Sequence, residues 1–542
     1  MTIRLWRRFG VLAAGGVLTA VSALGVGAGA GTPGAQLTSA AMPPQLVALP
    51  RIPGVIAQAP DPYTYCTLPD GTPVDFYHCY TPQDIRAAYG VSGLTLAASV
   101  DRTTHNYGQG QTIVLVDAYG SPTAATDLQT FHNTFFPTLP DPNFQQIFPQ
   151  GNPQFHNTSH GAGLSGSNGA AGWSGEATLD IEWAYSIAPL AHIILMAVPP
   201  AETEGVQGFP NLFKAIAGEI QAAPNGTVFS MSFSATEQTM EGAGPALVAR
   251  LDQVFQMGLA KSDNFFAATG DTGTVNSSKL HKESASYPYP TVGWPASSPY
   301  VVAVGGTQLQ YGWTWDPTSN TAFTSSGANG AYWNSTSTPG SNVQAVWNES
   351  WGPIATGGGA SILYPRPSWQ ANVDPQYGNH RLVPDTSWNA AVNGGVDVYI
   401  TAYPEYNCGN SVGCWSVYGG TSAATPQTAA LVALLNADLA SKGLPPVGFL
   451  DPLLYQLGAS SSYSTAYTDI VPQDFGTASP TFSGSEVDVT GEVPKSVGNL
   501  EDNQLWEVPV PGYPTTTGYD ATTGWGAPKA PGFISALEAL SS

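Results

Sequence analysis

Charge is scarce in this chain of 542 residues: only 10% are Asp, Glu, Lys or Arg, well below the usual quarter. Basic residues are scarcer still, with 16 Lys and Arg against 38 Asp and Glu and a formal net charge of −22 at pH 7. A field of that sign repels nucleic acid and anionic membranes, so neither is an expected partner. Cysteine is limited to four residues, too few for a disulfide-dense scaffold. Beyond the N-terminus no apolar run is long enough to span a bilayer. The scarcity of charge does not signal disorder, which needs dense charge and low hydrophobicity; here 42% of residues are hydrophobic and a sizeable core is available. A chain with few ion pairs also loses little when its carboxylates protonate, so the composition suits an acidic medium. A generic acidic exported protein would share these features.

The N-terminus supplies what the rest lacks. Arg4, Arg7 and Arg8 precede an apolar run from Phe9 to Val26, and small residues close it near Ala28-Gly29-Ala30. This is the pattern of a signal peptide over residues 1–30, with an uncleaved anchor as the rival reading. Residues 31–62, rich in Pro, Ala and Gly, read as a flexible leader or short propeptide, and residues 63–542 as the folded domain. Export makes two local disulfides the natural pairing of the cysteines, Cys66–Cys79 and Cys408–Cys414. Neither pair has histidines at zinc-ligand spacing. The expected product is an exported, extracellular monomer.

Strand and helix signals alternate from there on. Short apolar runs at Gln111–Asp117, Ala191–Val198, Thr227–Phe233, Phe265–Ala268 and Tyr300–Gly305 predict buried strands. Helical periods cover Glu176–Ala188, Phe213–Ala222, Pro245–Ala260 and Ala423–Ala440. Such alternation predicts an α/β fold with a mainly parallel sheet covered on both faces. Residues 310–400 break the rhythm and are expected to form long loops and a hairpin.

The most specific motif is Gly419-Gly420-Thr421-Ser422-Ala423-Ala424-Thr425-Pro426, just before a long apolar helix. Two glycines permit a tight turn and close approach of a substrate backbone. A serine at that helix start sits among free N–H groups and the positive end of the dipole, which favour an oxyanion. A helix cap is the bland reading of any such serine. Gly-Thr-Ser-Ala-x-x-Pro resembles the nucleophile motif shared by subtilisins and sedolisins, two families that activate the serine differently.

A subtilisin-type base would draw on Asp117 and His160, which occur in the right chain order. The sequence around that histidine is Ser159-His160-Gly161-Ala162-Gly163, without the second histidine of the subtilisin motif. The stronger candidates are Glu176 and Asp180 in Gly175-Glu176-Ala177-Thr178-Leu179-Asp180-Ile181-Glu182. Four apart, they share one helix face. That face continues through Trp183, Ala184 and Ile187 and is the more apolar one, whereas Thr178, Glu182 and Tyr185 line the other. Two adjacent carboxyls cannot both ionise easily, so they share a proton that can be exchanged with a serine. A solvated acidic helix start is the alternative. The segment resembles the Glu and Asp motif of the sedolisins, the serine-carboxyl peptidases. The resemblance, spanning roughly residues 78–540, implies a subtilisin-like fold, Glu176 as general base and acid, and Asp180 as its orienting partner. Where some members extend the carboxylate network with a Glu and a Trp, this chain has Asp117 and Phe233, which implies a shorter network.

Asp271, in Thr269-Gly270-Asp271-Thr272-Gly273, follows a predicted strand. Subtilisins have an oxyanion-binding Asn near this point; the resemblance to sedolisins implies that Asp271 takes its place. A protonated carboxyl can donate a hydrogen bond to an oxyanion, which a carboxylate would repel. Near the C-terminus, Tyr467-Thr468-Asp469-Ile470 and Thr516-Thr517-Gly518-Tyr519-Asp520 are similar to the family's calcium site. They imply one structural Ca²⁺ held by the Asp469 and Asp520 side chains and the carbonyls of Ile470, Thr516 and Gly518. The expectation is therefore a secreted acid peptidase acting on peptides or proteins through Ser422, Glu176, Asp180 and Asp271. The rivals are a neutral peptidase using His160 and Asp117, and a non-catalytic binding protein on the same scaffold.

Overall fold

The short apolar runs become strands because burial on both faces lets them alternate between two cores. In the computed structural model, Ile113 and Leu115 of strand β1 (Thr112–Ala118) enter one hydrophobic cluster, while Val114 and Val116 enter another. The structure describes residues 68–71, 79–97, 104–152, 155, 169–199, 205–241, 244–276, 287–311, 342–349, 354–373, 375–392, 394–408, 412–471, 473–474, 481–482, 510 and 512–541. The signal peptide, the leader, Cys66 and His160 lie outside the described residues.

The other strands of the central sheet are β2 (Phe144–Ile147), β3 (His192–Val198), β4 (Val228–Met231), β5 (Asn264–Ala268), β6 (Val302–Tyr311), β7 (Asn342–Val346) and β8 (Thr386–Asn389). Their order is β7-β6-β5-β4-β1-β3-β2, with β8 paired to β6, making an eight-stranded sheet. Only the β6–β7 pair is antiparallel. Flanking helices include α1 (Ala124–Phe135), α2 (Ala170–Ile187), α3 (Gly205–Ala222), α4 (Pro245–Leu259), α5 (Thr421–Ser441), α6 (Leu450–Gly458) and α7 (Ala530–Ser541). Apolar residues of α5 join the Ile113 cluster, and those of α3 and α4 join the Val114 cluster on the opposite face. This is the α/β architecture expected from the alternation, in the subtilisin-like form that the resemblance implied. No helix among the described residues is long and apolar enough to cross a membrane.

Two expectations change. Helix α2 starts six residues earlier than its periodicity suggested and has no solvent face: Thr178, Glu182 and Tyr185 are as buried as Glu176 and Asp180. The reason is an antiparallel pair, Gly395–Ile400 with Cys414–Tyr418, that covers its second side. Tyr399 N–H donates to Glu182 Oε2 at 3.0 Å, and Trp183 Nε1–H to the Asp397 carbonyl at 2.9 Å. Secondly, the 310–400 region contributes β8 to the parallel sheet in addition to hairpins. Its Thr-Ser-Trp-Asn sequence hides a strand because the buried polar side chains bond to neighbouring backbone. Thr386 Oγ1 donates to the Gly526 carbonyl and Ser387 Oγ to the Thr523 carbonyl. Cys408 and Cys414 are disulfide-bonded as expected; Cys79 is disulfide-bonded as well.

Candidate active site

Residues at or just beyond the carboxyl ends of three adjacent parallel strands and on two buried helices converge on one point. Such strand ends are where open α/β sheets collect their functional groups. Asp117 sits near the end of β1, Ser232 just after β4 and Asp271 just after β5. Helix α2 brings Glu176 and Asp180, and helix α5 begins with Thr421 and Ser422. The two helices pack against each other, so Ser422, Glu176 and Asp180 are carried on rigid elements.

All these side chains are buried. Ser232 Oγ–H donates to Asp180 Oδ1 at 2.9 Å. The Ser422 hydroxyl faces Glu176 and favours its charged form, as does Ser232. No hydrogen bond of full geometry closes the Ser422–Glu176 gap: both Glu176 oxygens and Ser422 Oγ lack a completed partner, as do both oxygens of Asp117. Catalytic contacts commonly tighten only when substrate arrives.

Burial governs the protonation of the cluster. Desolvation first, then the charge of Asp117, holds the Glu176 carboxyl well above the usual range, with Asp271 adding to the effect. Asp180 is raised for the same reasons, by burial, Asp117 and then Glu176. Asp117 is pushed by burial up to about 8. Asp271 is also pushed up, to about 7, by burial; the Thr421 N–H and hydroxyl, each donating to Oδ1 at 2.8 Å, oppose the rise. Three carboxyls thus lie close enough to oppose one another's ionisation beside a hydroxyl, and Asp271 acts on Glu176 in the same sense.

Glu176, Asp180, Asp271 and Ser422 are therefore brought together. Asp117 joins them as a third member of the carboxyl cluster, while Phe233 lies in the apolar core and adds no polar group. Sequence reasoning missed Ser232 and Thr421. The signal for Ser232 was a hydroxyl at the end of a buried strand, and for Thr421 its place beside the nucleophile.

The C-terminal residues also meet. Gly518 N–H donates to Asp469 Oδ1 and Oδ2 at 3.2 and 3.0 Å, and Thr516 N–H to Asp520 Oδ2 at 3.1 Å. Asp520 Oδ1 accepts from the N–H groups of Thr522 at 3.0 Å and Thr523 at 2.7 Å, and from the Thr523 hydroxyl at 3.1 Å. Gly518, at φ +81°, permits the turn. The two carboxylates are hard oxygen donors of the kind a divalent cation takes, and here their hydrogen-bond partners are N–H and hydroxyl groups. Among the described residues no group of three or more His, Cys, Asp or Glu side chains could hold a metal, so a cation here would depend on backbone carbonyls.

No protein-family model matches the chain. Individual relatives do. Kumamolisin of Bacillus sp. (strain MN-32) is 30% identical over 385 residues, 70% of this chain and 55% of kumamolisin. Sedolisin of Pseudomonas sp. (strain 101) is 35% identical over 204 residues, 36% of this chain and 28% of sedolisin. The chain belongs to the sedolisin family. Another relative is tripeptidyl-peptidase 1 of Canis lupus familiaris, 27% identical over 367 residues, 67% of this chain and 51% of that protein. The chain spans about half the length of kumamolisin and tripeptidyl-peptidase 1. The solved structure of Pseudomonas sedolisin, a serine-carboxyl proteinase complexed with two molecules of pseudo-iodotyrostatin, has the same fold. Its TM-score is 0.54 at 23% identity, over 86% of this chain and 99% of that one.

Proposed function

We propose that this sedolisin-family chain is a secreted, acid-acting serine-carboxyl endopeptidase that cleaves peptide or protein substrates as a monomer. The observation that carries the reading is the buried Ser422 hydroxyl facing Glu176 inside a carboxyl cluster that retains protons by desolvation. Ser422 Oγ attacks the scissile carbonyl carbon as its proton passes to Glu176, which stands ionised with the cluster's protons held on Asp180 and Asp117. Asp180, held by Ser232, and Asp117 take up the change in charge, so the base need not stand as an isolated buried anion. Protonated Asp271 donates to the oxyanion. The tetrahedral intermediate collapses as Glu176 returns the proton to the leaving amine, which gives the acyl-enzyme. Water then adds to the ester carbonyl, giving its proton to Glu176, and expulsion of reprotonated Ser422 Oγ releases the acid.

One Ca²⁺ at Asp469, Asp520 and the carbonyls of Ile470, Thr516 and Gly518 would neutralise the two carboxylates and pin the C-terminal loops; it has no part in the chemistry. Secretion rests on the signal-like residues 1–30.

The test is cleavage of a mixture of internally quenched peptides from pH 3 to pH 9. Activity confined to acid, lost in Glu176→Gln and kept in His160→Ala, is expected. A neutral optimum lost in His160→Ala overturns the reading. So does folded protein whose Ser422 is not labelled by a peptide aldehyde in acid.

A further inference from the structure

Thr421, the residue before the nucleophile, makes three hydrogen bonds that together decide more than its place in the motif. Its N–H donates to Asp271 Oδ1 at 2.8 Å, its hydroxyl contacts the same oxygen at 2.8 Å, and its Oγ1 accepts from Gly270 N–H at 3.1 Å. A hydroxyl has one hydrogen. Gly270 N–H occupies one of the two Thr421 Oγ1 lone pairs, and the Thr421 hydroxyl donates to Asp271 Oδ1. With the backbone N–H of Thr421 also donating to it, Oδ1 receives two hydrogens and is the disfavoured seat for a proton. Asp271 Oδ2, by contrast, is buried without a partner. It lies on the side of Gly420, where a Cβ would come within 2.8 Å of it, and Gly420 has φ +105°.

We propose that Thr421 is a positioning residue that makes Asp271 Oδ1 an acceptor only, so that Oδ2 alone bears the proton offered to the oxyanion. The proposal rests on the peptidase reading for its purpose, but not for its geometry. Without Thr421 the proton could reside on either oxygen, and half of the arrangements would present a lone pair to the developing negative charge. Gly420 serves the same end by leaving Oδ2 uncovered. The Thr421 hydroxyl also favours the ionised form of Asp271. The titratable groups around Asp271 among the described residues are Glu176 on α2, with Asp117 on β1 and Asp180 on α2 behind it. The start of α5 adds the two hydroxyls of Thr421 and Ser422. Of these carboxyls only Asp271 has its titration lowered by the Thr421 hydroxyl, so the sign of the effect belongs to Asp271.

The experiment compares the full-length protein with Thr421→Val and Thr421→Ser by infrared difference spectroscopy and by a pH–rate profile. The carboxyl C=O band of Asp271 is assigned by its loss in Asp271→Ala. In Thr421→Val the carbonyl loses one hydrogen bond, so the band moves to higher frequency and its titration midpoint rises by about one pH unit. The alkaline limb of the rate profile moves to higher pH with it, while the acid plateau falls by about twofold, far less than loss of a whole oxyanion donor. Thr421→Ser restores all three. A residue that merely supported the fold would lower the rate at every pH and leave the limb in place. An unchanged band and midpoint in Thr421→Val overturns the proposal. If that variant does not fold, the unaltered protein decides: an Asp271 band at the frequency of a carbonyl free of hydrogen bonds overturns it, and a lowered one supports it. Absence of peptidase activity with the expected band shifts would sink the peptidase reading and leave Thr421 in its role.

Discussion

The molecule holds two groups of buried acids built in opposite ways. In the cluster around Ser422, Asp117 and Glu176 have no hydrogen-bond partner on any carboxyl oxygen among the described residues, and Asp180 has one, from Ser232. In the C-terminal loop, Asp520 is wrapped by three backbone N–H groups and a hydroxyl, and Asp469 is held by Gly518 N–H. Burial raises the carboxyls of both groups, Asp117 to about 8 and Asp520 to about 7; around Asp520 the donors oppose the rise and tie the carboxyl to its loop. The same residue type is thus left open to exchange in one place and held by its neighbours in the other.

The sharpest way to break this comparison is to remove the hydroxyl that the unpartnered acids face. Ser422→Ala is expected to lower kcat/KM on a quenched peptide by about 10⁴-fold or more, and Glu176→Gln by about 10²–10⁴-fold. Full activity in either would mean that the carboxyl cluster is not a proton store.

A smaller effect concerns stability. Asp117 has a folded value of about 8 against an ordinary 3.8, so the folded protein binds more protons than the unfolded chain between these limits. Its contribution is fully present below about pH 4 and is lost as pH rises towards 8, at about 1.4 kcal/mol per pH unit. Asp117→Asn, uncharged throughout, should be about 2–5 kcal/mol more stable than the unaltered protein at pH 8 and little different at pH 4. Denaturant unfolding at the two pH values measures this; equal effects at both would remove the contrast with the wrapped acids.

The smallest effect is expected at the C-terminal loop. Asp520→Ala leaves three backbone donors without their acceptor, a loss of about 3 kcal/mol. Calcium at a hundred times its dissociation constant should raise the unaltered protein's stability by about 2.7 kcal/mol and the variant's hardly at all. A melting temperature indifferent to calcium and to EGTA would leave only the hydrogen bonds as the purpose of that loop.

Much of this was legible in the chain itself. The strands were visible because doubly buried β-strands are short apolar runs, and Ser422, Glu176 and Asp180 because their local motifs are dense. The burial of Glu182 was not, since helix periodicity cannot register a second covering layer made 200 residues later. Strand β8 escaped because its polar side chains are satisfied by backbone, so no hydrophobic pattern exists to be read. Asp117 was visible as a strand end, but its company of carboxyls is a product of tertiary packing. Ser232 and Thr421 carry no charge and stand out only once their partners are known.

The mutual packing of α2 and α5 has an evolutionary consequence. Reactivity is stored in the interior, on two helices that any surface variation leaves alone. The loops that meet a substrate can be exchanged, lengthened or redecorated without retuning the acid–base apparatus beneath them. Such a division of labour would let one ancestral engine diversify its diet while its inner workings stay the same.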